Sequence, residues 1–258
     1  MCTYNSLVLK LKTKILKVTA ISLLCIVVVL SAGMLIYASD YYHADIEAVS
    51  AFADCNVIKE TQLSGNLYAY IPENPQTGFI FYPGGKVDCN AYAPLMRACA
   101  QRDILCLLLE MPLNLAVLDI NAADGIQAKF PEIETWYIGG HSLGGAMSAA
   151  YAGDNAADFD GIILLASYST ADLSTSGLEV LCIYGSEDGV MNRDKYAENL
   201  VNLPVDYTEL VIEGGNHSGF GFYGQQKGDG TSSISAQQQI TITADAISNF
   251  IGSKNDLH

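Results

Sequence analysis

The chain has 258 residues, half of them apolar and 16% charged, which suits one large domain with a full core and not a collagen-like or disordered polymer. Thirteen Lys and Arg stand against 28 Asp and Glu. Lys10, Lys12, Lys14 and Lys17 are the only charges before Asp40, so nine basic and 28 acidic residues follow, a charge of −19 that argues against a nucleic-acid partner.

Residues 18–38 (VTAISLLCIVVVLSAGMLIYA) contain no charge, and at about 1.5 Å per residue they cover a hydrocarbon core of roughly 30 Å. A single transmembrane helix, a signal anchor, is expected there. The lysines precede the run, and Asp40, Asp45, Glu47 and Asp54 follow it. The positive-inside rule then leaves residues 1–17 cytoplasmic and the rest outside the cell membrane. A cleaved signal peptide is the alternative, and it would make the domain secreted. Its apolar region is usually about 7–15 residues with a small-x-small site, whereas this run is longer and Tyr37 stands third before Asp40.

Residues 39–56 read as a polar linker, and strand and helix patterns alternate beyond it. Strands are expected at 57–61, 67–71, 78–82, 104–110, 135–139, 161–167, 179–185 and 207–212, and helices near 90–102, 119–129, 143–152, 190–202 and 236–251. Runs such as ILCLLLE and GIILLAS are apolar on both faces, the mark of a parallel sheet covered on both sides. The first strands lack intervening helices, so antiparallel pairing is expected at the start of the sheet. The expectation is therefore an α/β fold: eight strands, mostly parallel, flanked by helices over residues 57–252. The connection at 168–178 is too short for a cap domain. Cys106 and Cys182 sit in apolar strands as small hydrophobes. Pairing of the remaining cysteines is left open, and no Cys/His cluster has zinc spacing.

The strongest local signal is Gly140-His141-Ser142-Leu143-Gly144, a G-x-S-x-G. Such a pentapeptide arises by chance roughly once in ten chains of this size, so its context decides. Here it follows the strand TWYIG and opens the small-residue helix LGGAMSAAYA. A serine on that sharp turn sits beside a helix N-terminus and needs a base to become a nucleophile. Of four histidines, His43 adjoins the apolar run, His258 is last and His141 neighbours the serine, which leaves His217 in the loop GGNHSG. Asp188, in the turn after EVLCIYG, is the expected acid, with Glu187 as its rival. The oxyanion donors expected are the N–H groups of Leu143 and Gly85, the latter in the turn PGGK with Lys86 as alternative.

These features resemble an α/β-hydrolase over about residues 57–252. The turn GHSLGG, the G-x-x-D at 185–188 and His217 after the last strand stand where that family's catalytic residues stand. YPGGKVD, EMPLNLAVL and GGNHSGFGFYGQQKGDG are similar to a small uncapped bacterial group, the fold-5 type, whose members often carry an N-terminal membrane segment. The resemblance implies a triad of Ser142, Asp188 and His217 and no cofactor. At this turn PGGK departs from the HGGG of many lipases and esterases. The function expected is a membrane-anchored serine hydrolase acting on small-molecule or lipid-like carboxylic esters. Amide or peptide hydrolysis on the same triad, or a silent tethered binding domain, are the alternatives.

Overall fold

The computed structural model describes residues 2–51 and 58–255. Two compact units divide at Asp40 and Tyr41. The first is one helix, α1 (Cys2–Ser39), and its stretch Lys12–Ser39 is long and apolar enough to cross a membrane. The consecutive Ile26, Val27, Val28, Val29 and Leu30 go once round the helix and are all exposed, so this stretch is apolar all round and has no polar face suited to water.

The second unit holds the strands β1 (Lys59–Ser64), β2 (Leu67–Ile71), β3 (Thr77–Tyr82), β4 (Ile104–Leu109), β5 (Thr135–His141), β6 (Gly161–Leu165), β7 (Glu179–Gly185) and β8 (Thr208–Ile212). Its helices are α2 (Ile46–Ala51), α3 (Ala93–Ala100), α4 (Leu143–Asp154), α5 (Arg193–Asn199) and α6 (Ala236–Asn255). The strand order is β1-β2-β4-β3-β5-β6-β7-β8. β1 and β2, and β2 and β4, pair antiparallel, and every other pair is parallel.

Alternation along the central strands sends successive side chains to opposite faces. Phe79 and Phe81 of β3 join Cys106, Leu108 and Ile163 in one core layer under α3 and α6. Ile80 and Tyr82 join Leu105, Leu107, Ile138 and Leu164 in the other, where α4 contributes Ala149 and Ala152. Every residue of β3, β4 and β6 is buried. That accounts for their unbroken apolar sequence, each large side chain adding about 1.5–3 kcal/mol by leaving water.

The helix expected near 119–129 is absent. A three-residue 3-10 turn precedes the segment at Ala116–Leu118, and within it only Gln127–Lys129 forms another. Gly125 takes φ +68°, and Asp119, Asn121 and Asp124 favour turns over helix. The buried Tyr82 hydroxyl donates to Ile120 O (2.8 Å) and accepts from Ala123 N–H (3.1 Å), which fixes the non-helical path. Cys89, Cys99, Cys106 and Cys182 are buried unbridged thiols, while Cys55 lies outside the described residues. Burial pushes the thiols of Cys89 and Cys182 up to about 12, so both act as core hydrophobes.

Candidate active site

β5 ends at His141 and α4 starts at Leu143, so Ser142 alone makes the turn. Its backbone takes φ 52° and ψ −121°, a left-handed conformation costing on the order of 1–3 kcal/mol for a non-glycine residue. Three hydrogen bonds hold it there: its N–H donates to Leu165 O (2.9 Å), and its carbonyl accepts from Ala146 N–H (3.1 Å) and Ser167 Oγ (2.8 Å). The flanking glycines answer a close approach. A Cβ at Gly140 would stand 2.4 Å from Tyr82 O, and one at Gly144 2.2 Å from both Tyr82 O and Pro83 O.

Asp188 and His217 meet each other in the turns that follow β7 and β8. Asp188 Oδ2 lies 2.8 Å from His217 Nδ1, with both side chains almost wholly shielded from solvent. Asp188 Oδ1 accepts from the N–H groups of Val190 and Met191, both at 2.8 Å. Burial alone would raise the Asp188 pKa, but the His217 contact and these two N–H donors outweigh it and hold the carboxyl below its usual value. Arg193 secures the start of the turn by donating to Gly185 O (2.7 Å). Glu187 is exposed, and its carboxylate accepts from Ser186 Oγ (3.0 Å). With Nδ1 committed to Asp188, the proton-accepting nitrogen of His217 is Nε2, which is buried and has no hydrogen-bond partner among the described residues. No hydrogen bond joins it to Ser142 Oγ in this conformation.

The loop that carries His217 is rigidly wired. Gln239 of α6 accepts from Asn216 N–H (3.0 Å) and donates to Asn216 O (2.8 Å). Asp229 accepts from the N–H groups of His217 (3.1 Å) and Ser218 (2.8 Å), from Ser218 Oγ (2.7 Å) and from Gly189 N–H (3.3 Å). Asp229 thus ties the His217 loop to the turn that carries Asp188, a role with no signal in the sequence beyond an acid among glycines.

His141 is excluded as the base by its own bonds, yet it links both halves of the site. Its Nε2 is 3.1 Å from His217 O and its Nδ1 is 2.8 Å from the Tyr92 hydroxyl, which accepts from Gly84 N–H (3.1 Å). A carbonyl only accepts, so Nε2 carries the proton, Nδ1 accepts, and Tyr92 donates to it. Burial, reinforced by the neighbouring His217, holds the His141 pKa well below the usual imidazole value and keeps the ring neutral. The two imidazole rings pack with centroids 4.6 Å apart, so His217 lies against the residue that precedes Ser142.

In the PGGK turn, Gly84 N–H goes to Tyr92 and Lys86 N–H to Asn114 O (2.7 Å). This removes Lys86 as the alternative donor. Gly85 N–H and Leu143 N–H have no hydrogen-bond partner among the described residues. The two residues adjoin, since a Cβ on Gly85 would stand 2.8 Å from Leu143 Cδ2.

Solved structures share this architecture. TT1662 from Thermus thermophilus superposes with a TM-score of 0.58 at 15% identity, covering 76% of this chain and 97% of that one. Dienelactone hydrolase from Anabaena variabilis gives 0.56 at 14%, over 77% and 99%. Est1E from Butyrivibrio proteoclasticus gives 0.55 at 13%, over 76% and 100%. At such identities the likeness is one of fold. Comparison with curated proteins gives no match. The model of the alpha/beta hydrolase family matches residues 78–241, from β3 into α6 and well over half of the chain, and the chain belongs to that family.

Proposed function

We propose that the chain is a membrane-anchored serine hydrolase that cleaves carboxylic esters with Ser142 as nucleophile, His217 as base and Asp188 as its acid. The observation that carries this reading is the Asp188–His217 pair. Its carboxylate is fixed by two N–H groups and its imidazole is left with a bare, buried Nε2. Catalytic hydrogen bonds often tighten only when substrate binds, so the open Oγ–Nε2 contact is compatible with this role.

In the first step Ser142 Oγ passes its proton to Nε2 and bonds to the ester carbonyl carbon. The N–H groups of Gly85 and Leu143 stabilise the oxyanion. Collapse breaks the bond to the alcohol oxygen, which takes the proton from Nε2 and departs. Water then attacks the acyl-enzyme, gives its proton to Nε2, and the acid leaves as Ser142 Oγ is reprotonated. Asp188 stays ionised throughout and stabilises the imidazolium. Esters are favoured over amides because named neighbours are a dienelactone hydrolase, an esterase domain from Rhodothermus marinus, and Est1E, solved also with ferulic acid bound.

The uncharged run and the lysines before it support anchoring with the hydrolase domain outside the cell membrane. A panel of p-nitrophenyl esters and anilides, run beside Ser142→Ala, tests the chemistry. Ester turnover lost in the variant is expected, whereas equal rates in the two proteins would contradict the assignment.

A further inference from the structure

The segment that follows α1 is stitched to the catalytic end of the sheet. Tyr42 N–H donates to Lys86 O (2.8 Å), and Tyr42 O accepts from Asp88 N–H (2.9 Å), a parallel bridge beside Val87. Its hydroxyl accepts from Lys227 N–H (2.9 Å), and Asp45 N–H donates to Phe222 O (2.8 Å). Residues 42–45 therefore lie between the turn that carries Gly85 and the chain beyond His217.

Covalent reach gives this a consequence. Tyr42 is four residues beyond Ala38, where the uncharged run closes. Four residues extend at most about 14 Å. Residue 42, hydrogen-bonded to the Gly85 turn, thus follows the uncharged run by no more than that length of chain. Tyr37, Tyr41 and Tyr42 cluster at the junction, and tyrosine favours the headgroup region.

The loop after β4 supplies a matching surface. Leu113, Val117 and Leu118 are 41%, 50% and 46% exposed. Their loop is tied to the same turn through Lys86 N–H and Asn114 O, with Leu113 and Asn114 both at positive φ (53° and 56°). On a strongly acidic domain these exposed apolar side chains stand beside the proposed oxyanion donors. Resting on the anchored-hydrolase reading, we infer that the catalytic end faces the bilayer, that Leu113, Val117 and Leu118 enter its interface, and that the substrates are acyl esters of lipids held in it.

The test uses the full chain in phosphatidylcholine vesicles. Leu118→Trp adds an indole at this end, and Val205→Trp adds one in the exposed turn before β8, at the opposite end of the parallel strands. Brominated phosphatidylcholine is expected to quench the L118W emission at least twofold and to leave V205W unchanged. Equal quenching of both, or none of L118W, would overturn the orientation. A flexible Gly/Ser insert of about 20 residues after Asp40 adds roughly 25 Å of root-mean-square reach. It is expected to slow hydrolysis of vesicle-embedded dioleoylglycerol about tenfold with p-nitrophenyl butyrate unaffected. Unchanged dioleoylglycerol turnover, or equal loss on both esters, would overturn the substrate class. A parent chain that hydrolyses neither ester would overturn the substrate class together with the hydrolase reading, while the quenching result still decides the orientation. A chain that fails to float with the vesicles would overturn the anchor and this inference together.

Discussion

Ser142 holds a backbone conformation that glycine would take without strain, and three hydrogen bonds keep it there. A residue kept under such strain is expected to trade stability for chemistry. Ser142→Gly should therefore raise the thermal midpoint by roughly 2–4 °C per kcal/mol relieved while abolishing turnover. Thermal unfolding followed by circular dichroism checks it, and a lower midpoint would contradict the strain argument. His141 bears on acid stability. Its folded pKa is depressed, so the unfolded chain binds the additional proton and stability falls as pH drops below the usual imidazole value. The slope contributed approaches about 1.4 kcal/mol per pH unit. Asp188, depressed from 3.8, adds a second loss only at lower pH, where its carboxylate would be protonated. Urea titrations between pH 7 and 5 should show a flatter acid limb in His141→Gln than in the parent, and parallel limbs would refute the assignment. The serine turn was legible at this scale because G-x-S-x-G has a steric cause. The wiring of His141 was not, because its partners Tyr92 and the His217 carbonyl lie far away in sequence.

Between residues and molecule, the elements show where sequence patterns carry information and where they fail. Strands such as β4 and β6 were readable because burial on both faces leaves an unbroken apolar run. The segment 119–129 departs from the expected helix because Gly125 and the Tyr82 hydroxyl impose turns. Asp229, in the glycine-flanked KGDG segment, braces the His217 loop against the turn that carries Asp188. Nothing in its sequence spacing signals that role, since folding alone brings its carboxylate under those N–H groups. Asp229→Ala leaves those donors without their acceptor, at a cost of about 1–3 kcal/mol. It is expected to lower kcat more than it raises KM, because it disturbs the base and not a substrate contact. Steady-state kinetics on a soluble ester separates the two, and an effect confined to KM would count against a positioning role.

For the whole molecule, the charge divides as unevenly as the hydropathy: four lysines precede the uncharged run, and a body of −19 follows it. A body so acidic has no electrostatic reason to stay on an anionic membrane, so the proposed anchoring rests on the apolar helix. Washing membranes with 1 M NaCl should leave the protein in the pellet and detergent should release it; release by salt alone would contradict anchoring. The order of Ser142, Asp188 and His217 along the chain was readable because each follows a parallel strand at the end where such sheets place their sites. The substrate was not, since one scaffold hosts many acyl-transfer reactions.

The central claim is that Ser142 is an activated nucleophile, and intact mass after exposure of the full chain to a fluorophosphonate probe tests it most directly. A single adduct on the parent, absent from Ser142→Ala and strongly slowed in Asp188→Asn, is the expected result. A folded parent chain that takes up no adduct, or an adduct that persists in Ser142→Ala, would contradict it.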